Sequence, residues 1–502
     1  MIDREAVRAN AKYLRNVRPI DPEEIHEYVE GTPHPAVVRQ TLREEAFDLR
    51  LREREDGTFV PAGEEPAPQP GWVPEAFPER YAFAVEDLLV ERHGANWHRG
   101  ESGDRLRETI RRLKEDYYRQ NAVEYDETAA LGYAIYHLPD YYAAIGYVLD
   151  DLAERALLPR TLRVLDVGAG TGGPALGLHD YLPEDAVVDY HAVEPSASAD
   201  VLERMLEETG RNFRTTIHRE TAEAFDPTSI AERDGGGIDL VLFANVLSEL
   251  DDPKTVAERY LDAVDDDGSF LALAPADRNT SIGLREVERS LVPADSPRSV
   301  YAPTLRLWPG EAPSDRGWSF DRRDDVAAPA FQRRLDEAGE ADADAADASA
   351  THADGNVGAV DGRGSGREPG DGTFTNETVQ FSYAIVRPDG ARRADVRADS
   401  DRHAKMAEME RHVTNRIDLL AVKLSRDLTD DEGRNPLFKV GDGSESVEHY
   451  AVSTARDSFN EALLLADYGD VLAFENVLCL WNDDEGAYNL VVDDETFLDR
   501  VA

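Results

Sequence analysis

The run RVLDVGAGTGGPALGL, residues 163–178, constrains the fold more than any other part of the chain. Val164-Leu165-Asp166-Val167 reads as a buried strand, and Gly168-Ala169-Gly170-Thr171-Gly172 as a turn that opens a helix. Glycines recur in such turns because a ligand and the backbone approach too closely for a Cβ. Nucleotide enzymes of several kinds use turns like this, so the neighbouring segments decide. The next apolar run, VVDYHAVEP, ends in Glu194, a carboxylate placed to accept both hydroxyls of a ribose. TTIHRET brings Glu220 and Thr221 to the sheet edge, where adenine contacts fall. IDLVLFANVLSEL delivers Asn245 to the carboxyl end of a fourth strand. Open α/β sheets bind their ligands at such positions. Neither a second glycine fingerprint nor a phosphate-binding lysine accompanies them, which argues against a dinucleotide or a nucleoside triphosphate.

Around this core the 502 residues divide by pattern. Residues 1–62 read as three short helices and a hairpin. Asp21-Pro22 starts the second helix, Ala36 to Ala46 forms the third, and Asp56-Gly57 marks the hairpin turn. That is a winged helix-turn-helix, either a nucleic-acid reader presenting Arg39 and Arg43 or a packing module. Residues 63–120 are a Pro-rich linker and a helical lead-in, and 121–390 hold the alternating βα pattern of a mostly parallel sheet. Within it, 337–372 is acidic, rich in Ala, Gly and Asp, and reads as a disordered insertion. A linker with a helix near Asp401 to Val413 spans 391–414. From 415 to 502 short alternating strands with Gly-Asp turns form a small all-β barrel, which resembles the OB domains of single-stranded-DNA-binding proteins.

The formal net charge is −47, with 31% charged and 41% hydrophobic residues. The acid is dispersed along folded-looking segments, while lysine is confined to Lys12, Lys114, Lys254, Lys405, Lys423 and Lys439. Against an acidic disordered protein or a binder of basic partners, this pattern resembles haloarchaeal adaptation to a high-salt cytoplasm, where a carboxylate surface stays hydrated, so the charge is not expected to identify a partner. Cys479 is the single cysteine, which leaves no disulfide framework and no cysteine-built metal site. The first residues lack an apolar signal core, and no stretch approaches the ~18 apolar residues of a membrane span. The expectation is a cytoplasmic protein with no membrane partner.

LPDYYAAIGYVLDDLAERALLPRTLRVLDVGAGTGGPALG, ANVLSEL, FLALAPADRNTSIGLREVERSL and VYAPTLRLWPGEAPSDRGWSF together resemble the small-ribosomal-subunit methyltransferase-like family, over about residues 125–390. The resemblance implies a class I methyltransferase fold, S-adenosylmethionine as cofactor, and contact with small-subunit ribosomal RNA. On this reading Asp166, Gly168, Gly170, Gly172, Glu194, Glu220, Thr221 and Asn245 hold the cofactor. Many members of that family carry cysteines that bind an iron–sulfur cluster. Here Thr304 and Ser319 stand in the matching segment, so the chain cannot build one alone. Packing of Leu307, Trp308, Trp318 and Phe320 is expected to hold this region instead.

Methyl transfer needs in-line positioning of a nucleophile and a base where the nucleophile carries a proton. The Asn/Asp-Pro-Pro-Tyr/Phe motif for exocyclic amines is absent, its place taken by Asn245-Val246-Leu247-Ser248. Asn245 is the candidate for a base edge and Glu249 the candidate proton acceptor, against a bland role for Glu249 at a helix start. In concentrated salt, screening lengths fall to ~3 Å, so nucleic-acid affinity has to rest on stacking. Phe438, Tyr450, Phe474 and Trp481 in the last domain are candidates for binding single-stranded nucleic acid. Three functions compete: a protein acting on or assembling the small ribosomal subunit, a non-catalytic DNA- or RNA-binding protein with the cofactor as structural ligand, and a small-molecule methyltransferase.

Overall fold

A computed structural model describes residues 2–119, 121, 123–231, 237–311, 317–323, 326–339, 373–429 and 434–502. They fall into two compact units. One is Met1–Leu162, Gly168–Ala224 and Arg323–Val379; the other is Arg163–Val167, Phe225–Arg322 and Gln380–Ala502.

The chain begins with α1 (Arg4–Leu14), α2 (Pro22–Ile25), α3 (Pro35–Glu45), β1 (Leu51–Glu53) and β2 (Phe59–Pro61). Asp3 and Asp21 cap the first two helices by accepting orphan backbone N–H groups. Val7, Ala11, Ile25, Val38, Leu42, Leu51 and Phe59 build a small core of their own. β1 and β2 pair antiparallel across Gly57, whose φ of 80° the turn requires. Arg39 is half-buried, and Arg43, though exposed, is engaged within the chain. Arg43 makes a two-pronged ion pair with the buried Glu53, Nε–Oε2 2.6 Å and Nη2–Oε1 2.9 Å. Arg39 folds back within 3.2 Å of where a Cβ on Gly57 would lie. The hairpin in turn docks on the segment before β5 (Phe213–His218): Asn212 exchanges two hydrogen bonds with the Glu53 backbone, at 2.8 and 3.1 Å.

α4 (Glu79–His93), α5 (Gly100–Arg119) and α6 (Glu127–Glu154) follow. Asp126 caps α6, which buries Ala134, Ile135, Leu138 and Tyr142 against Tyr81, Leu106, Ile110 and Phe331. Then come β3 (Thr161–Val167), α7 (Gly173–Tyr181), β4 (Val187–Val193), α8 (Ser198–Leu206), β5, α9 (Thr228–Ala231) and β6 (Ile238–Ala244). The alternation ends with α10 (Pro253–Leu261), β7 (Val264–Pro275), α11 (Arg278–Leu291), β8 (Ser299–Ala302), β9 (Asp321–Arg323), a helix α12 over 330–339, and β10 (Val379–Arg387). The sheet order is β5-β4-β3-β6-β7-β10-β8, with β9 beside β10. β4–β5, β3–β6 and β6–β7 pair parallel, whereas β10 runs antiparallel to both β7 and β8. Helical connections between parallel strands are what the βα pattern anticipated; the antiparallel direction of β10 is shown by the structure alone.

The insertion read at 337–372 needs a correction at its start. Residues 337–339 close α12, with Ala338 buried, while 340–372 lie outside the described residues. The helix anticipated from Asp401 to Val413 is a shorter 3-10 segment, Met406–His412, kinked at Glu408.

The last strands are β11 (Arg416–Lys423), β12 (Leu437–Gly441), β13 (His449–Ser453), β14 (Val471–Asn482), β15 (Ala487–Val492) and β16 (Phe497–Arg500), with α13 (Ala462–Leu465) before β14. The ladder runs β11-β12-β13-β15-β14, and β14 pairs again with β11. This closes a five-stranded barrel in which the β13–β15 pair is parallel. β16 extends β14 at the rim. Alternate residues Leu419, Ala421, Val440, Ala451, Phe474, Cys479 and Leu490 fill it.

Candidate cofactor site

Val167 ends β3 and the chain turns at once through Gly168, Gly170 and Gly172, with φ of 67°, 54° and 96°. At Gly172 a Cβ would lie 2.7 Å from Leu202 Cδ1. Two backbone N–H groups of the turn, Gly168 and Ala169, donate to Val193 O at 2.8 and 3.3 Å. The turn is therefore tied to the end of β4, where Glu194 begins the next loop.

Glu194 is buried, and its carboxylate braces both sides of that junction. Oε2 accepts from Gly170 N–H at 2.9 Å, and Oε1 accepts from Ser196 N–H at 2.9 Å and from its hydroxyl at 2.5 Å. A carboxylate offers about four acceptor positions. With three in use, one remains for a ribose hydroxyl, so accepting both hydroxyls requires Ser196 to turn away. The sequence pattern located Glu194 but did not show this internal use.

In the second unit, Asp166 on β3 is fully buried and lies in register with Leu242 of the parallel neighbour β6. Asn245 stands directly after β6 with φ of 64°, a left-handed conformation Asn tolerates better than most residues. Its N–H donates to Leu273 O at 2.9 Å, and its side chain is buried with Nδ2 lacking a hydrogen-bond partner among the described residues. A buried amide without a partner is costly unless a ligand supplies the acceptor. Within its own unit, the Cβ-free glycine turn braced by Glu194 fits a nucleoside cofactor.

Glu220 and Thr221 are exposed just past β5, an edge strand of the sheet, and Thr221 Oγ1 accepts from Ala224 N–H at 3.3 Å. Glu249 ends a 3-10 turn, Leu247–Glu249, and is exposed. It does not cap the following helix, because Asp252 does so through Thr255 N–H at 3.2 Å. A cavity of 1090 Å³ opens between the β1–β2 hairpin and the N-terminal ends of β4 and β5, away from Glu194, and is not this site.

Thr304 is held by a buried ion pair and Ser319 by neutral hydroxyl groups, neither of which the sequence pattern revealed. Arg285 and Glu288, fully buried on α11, pair with each other, and Arg285 Nη2 donates to Tyr383 O. Thr304 donates to Glu288 Oε2 at 2.5 Å, and Ser319 Oγ bonds Tyr468 OH at 2.9 Å. Leu307, Trp308 and Phe320 are buried around it as expected, while Trp318 is half-buried. Among the described residues no group of His, Cys, Asp and Glu could hold a metal ion.

The sheet order, its single inserted antiparallel strand, and a glycine turn braced by an acid at the end of the next strand define a class I methyltransferase core. Comparison with known families agrees. Residues 165–270 match the methyltransferase domain, so the chain carries a methyltransferase domain with S-adenosylmethionine as cofactor. Residues 4–55 match the N-terminal domain and 407–501 the C-terminal domain of a family described as a domain of unknown function, DUF8157. No curated protein matches the chain.

Solved structures similar to it include the YcgJ protein from Bacillus subtilis, with 21% identity, TM-score 0.18, and coverage of 26% of this chain and 51% of that one. The CcbJ methyltransferase from Streptomyces caelestis shows 21% identity, TM-score 0.21, and coverage of 27% and 49%. A SAM dependent methyltransferase from Aquifex aeolicus shows 15% identity, TM-score 0.22, and coverage of 30% and 74%. The chain thus spans about half the length of the first two. Among the described residues no helix is long and apolar enough to cross a membrane.

Proposed function

We propose that this chain is an S-adenosylmethionine-dependent methyltransferase that acts on small-subunit ribosomal RNA or its assembly, in a high-salt cytoplasm. The observation that carries the RNA reading is the terminal barrel. Its order β11-β12-β13-β15-β14, closed onto β11 with β13–β15 parallel, is that of an OB fold. OB barrels bind oligonucleotides by stacking, the contact that survives concentrated salt. The barrel leaves Trp481 exposed. The N-terminal module adds little to this reading, because Arg43 and the hairpin are already engaged within the chain.

In this scheme Gly168, Gly170, Gly172, Asp166 and Glu194 hold the cofactor, Glu220 and Thr221 border its adenine, and Asn245 meets it or the acceptor. S-adenosylmethionine supplies an electrophilic methyl group; the protein binds and orients the acceptor. Glu249, exposed on its turn, is the candidate proton acceptor. The test is ultraviolet crosslinking to small-subunit RNA in concentrated KCl, followed by sequencing, together with transfer of labelled methyl groups to that RNA. Capture of DNA alone, or of no nucleic acid, would overturn the target.

A further inference from the structure

Helix α6 carries aromatic side chains at Tyr133, His137 and Tyr141, four residues apart and therefore along one face. Their rings touch in series. Tyr133 and His137 have centroids 4.9 Å apart, and His137 stacks on Tyr141 at 5.4 Å with 4° between planes. Tyr125, just before the helix, meets Tyr133 edge-on at 5.7 Å, and Tyr117 of α5 shares a hydrogen bond with the Tyr125 hydroxyl. Tyr133 is buried, while the rings packed around it, Tyr117, Tyr125, His137 and Tyr141, are half-buried.

The position of this row is specific. Tyr133 Cε1 lies 3.9 Å from where a Cβ on Gly170 would be, and Tyr141 Cβ lies 2.9 Å from the equivalent point on Gly173. Tyr125 O accepts from Ala197 N–H at 3.4 Å, in the loop that Glu194 opens. The cluster is thus anchored to both segments that cradle the cofactor, the glycine turn and the loop after β4. What a cluster of π faces recognises beyond shape is positive charge, and the effect grows when water is excluded. S-adenosylmethionine carries a permanent sulfonium cation, whereas its demethylated product is a neutral thioether of nearly the same shape.

We propose that Tyr125 and Tyr133 form an aromatic wall facing the sulfonium, so that the site prefers the cationic cofactor to the neutral product. No side chain of this set has to donate a proton or a hydrogen bond for the preference to arise. Tyr117, His137 and Tyr141 hold the two rings in place from behind and along the helix. The consequence is directional: methyl loss would weaken the grip on the spent cofactor and favour its exchange.

The experiment compares the dissociation constants of S-adenosylmethionine, S-adenosylhomocysteine and sinefungin, whose amine is also cationic, by calorimetry on the full chain in concentrated KCl. Tyr133→Leu is expected to lower the preference for the two cations over S-adenosylhomocysteine by about tenfold, the scale of a desolvated cation–π contact. Tyr133→Phe keeps the π face and should keep the preference. Tyr125→Leu, at a half-buried position, repeats the test where folding is less at risk, with melting curves as control. Equal weakening of all three ligands, or an unchanged ratio in both Leu variants, would overturn the proposal by assigning the cluster to packing alone.

Discussion

The backbone N–H of Gly170 donates to Oε2 of Glu194 across 2.9 Å, so the acid at the end of β4 holds the glycine turn in shape. The bond joins residues 24 positions apart, and it makes the turn and the acid one device. If the turn cradles the cofactor as proposed, its conformation is fixed by a side chain of the protein itself. Part of the cost of shaping the site is therefore met before any ligand binds.

Glu194→Gln is expected to raise the dissociation constant for S-adenosylmethionine by tenfold or more, about 1.4 kcal/mol at the least. An amide has one accepting end, while this carboxylate accepts on both oxygens from Gly170 and Ser196. One of these donors would face the amide NH₂. Leaving a buried donor unsatisfied costs about 1–3 kcal/mol, so the melting temperature should fall with the affinity. Calorimetry and thermal melting on the same sample check both, and unchanged affinity would remove Glu194 from the site.

Asp239 gives a stability that depends on pH in a defined direction. Burial raises its carboxyl to about 6, helped by Asp265 and Asp267, against a hydrogen bond from Arg163 N–H that favours the ion. The folded chain therefore holds a proton more tightly than the unfolded chain. Stability is greatest below the unfolded value near 4 and is lost as pH rises through about 6. The loss amounts to about 3 kcal/mol at most. Asp239→Asn can still accept from Arg163, so it should stabilise at pH 7.5, give no gain at pH 4, and flatten the melting temperature between them. A variant no more stable than wild type at pH 7.5 would contradict the account.

Glu288→Ala should cost about 3–5 kcal/mol, because Arg285 would remain as a buried charge without its carboxylate. Replacing both residues together, Arg285→Met with Glu288→Leu, should recover much of that loss, since a buried pair contributes little net stability over apolar packing. Denaturant unfolding of the two variants separates these outcomes. A single variant as stable as wild type would mean that water reaches the pair.

What the sequence disclosed followed from constraints that act locally. A glycine turn after a buried strand, an acid at the end of the next strand, and period-2 runs around Gly-Asp turns each leave a pattern within a few residues. Hence the glycine turn, Glu194 and the barrel strands were legible. The contacts that correct the picture join distant segments. Asn212 meets Glu53 across 159 positions, and this ties the hairpin to the segment before β5. Arg285 and Glu288 sit in REVER, which reads like any charged helix surface, and only packing of α11 buries them. The ring series on α6 was masked for a related reason. Tyr133 is buried and Tyr141 half-buried, and their place beside the glycine turn is visible only in three dimensions.

The barrel's affinity for RNA should rest on Trp481. Four aromatics were candidates from the sequence, and the fold separates them. Phe438 and Phe474 are core, and Tyr450 is half-buried with its hydroxyl on Glu448 at 2.7 Å. Trp481 is 39% exposed, which leaves ring surface for a base. Its back is supported: it meets Tyr488 edge-on at 4.8 Å, Tyr488 stacks on the buried His449 at 5.0 Å, and its Nε1 donates to Asp483 at 2.8 Å. A ring so oriented gives up little entropy on stacking. Removing the whole barrel would be a poor test, because Asp442 takes hydrogen bonds from Trp308 Nε1 at 2.7 Å and from Leu307 N–H at 2.9 Å. Trp481→Ala isolates the contact. Stacking contributes about 1–3 kcal/mol per base, so the dissociation constant for single-stranded small-subunit RNA should rise about tenfold or more. Trp481→Tyr should lose far less, and S-adenosylmethionine affinity should not change in either. Fluorescence anisotropy with labelled RNA in concentrated KCl measures the first, calorimetry the second. Equal RNA affinity in wild type and Trp481→Ala would leave the barrel as a module for stability or protein contact.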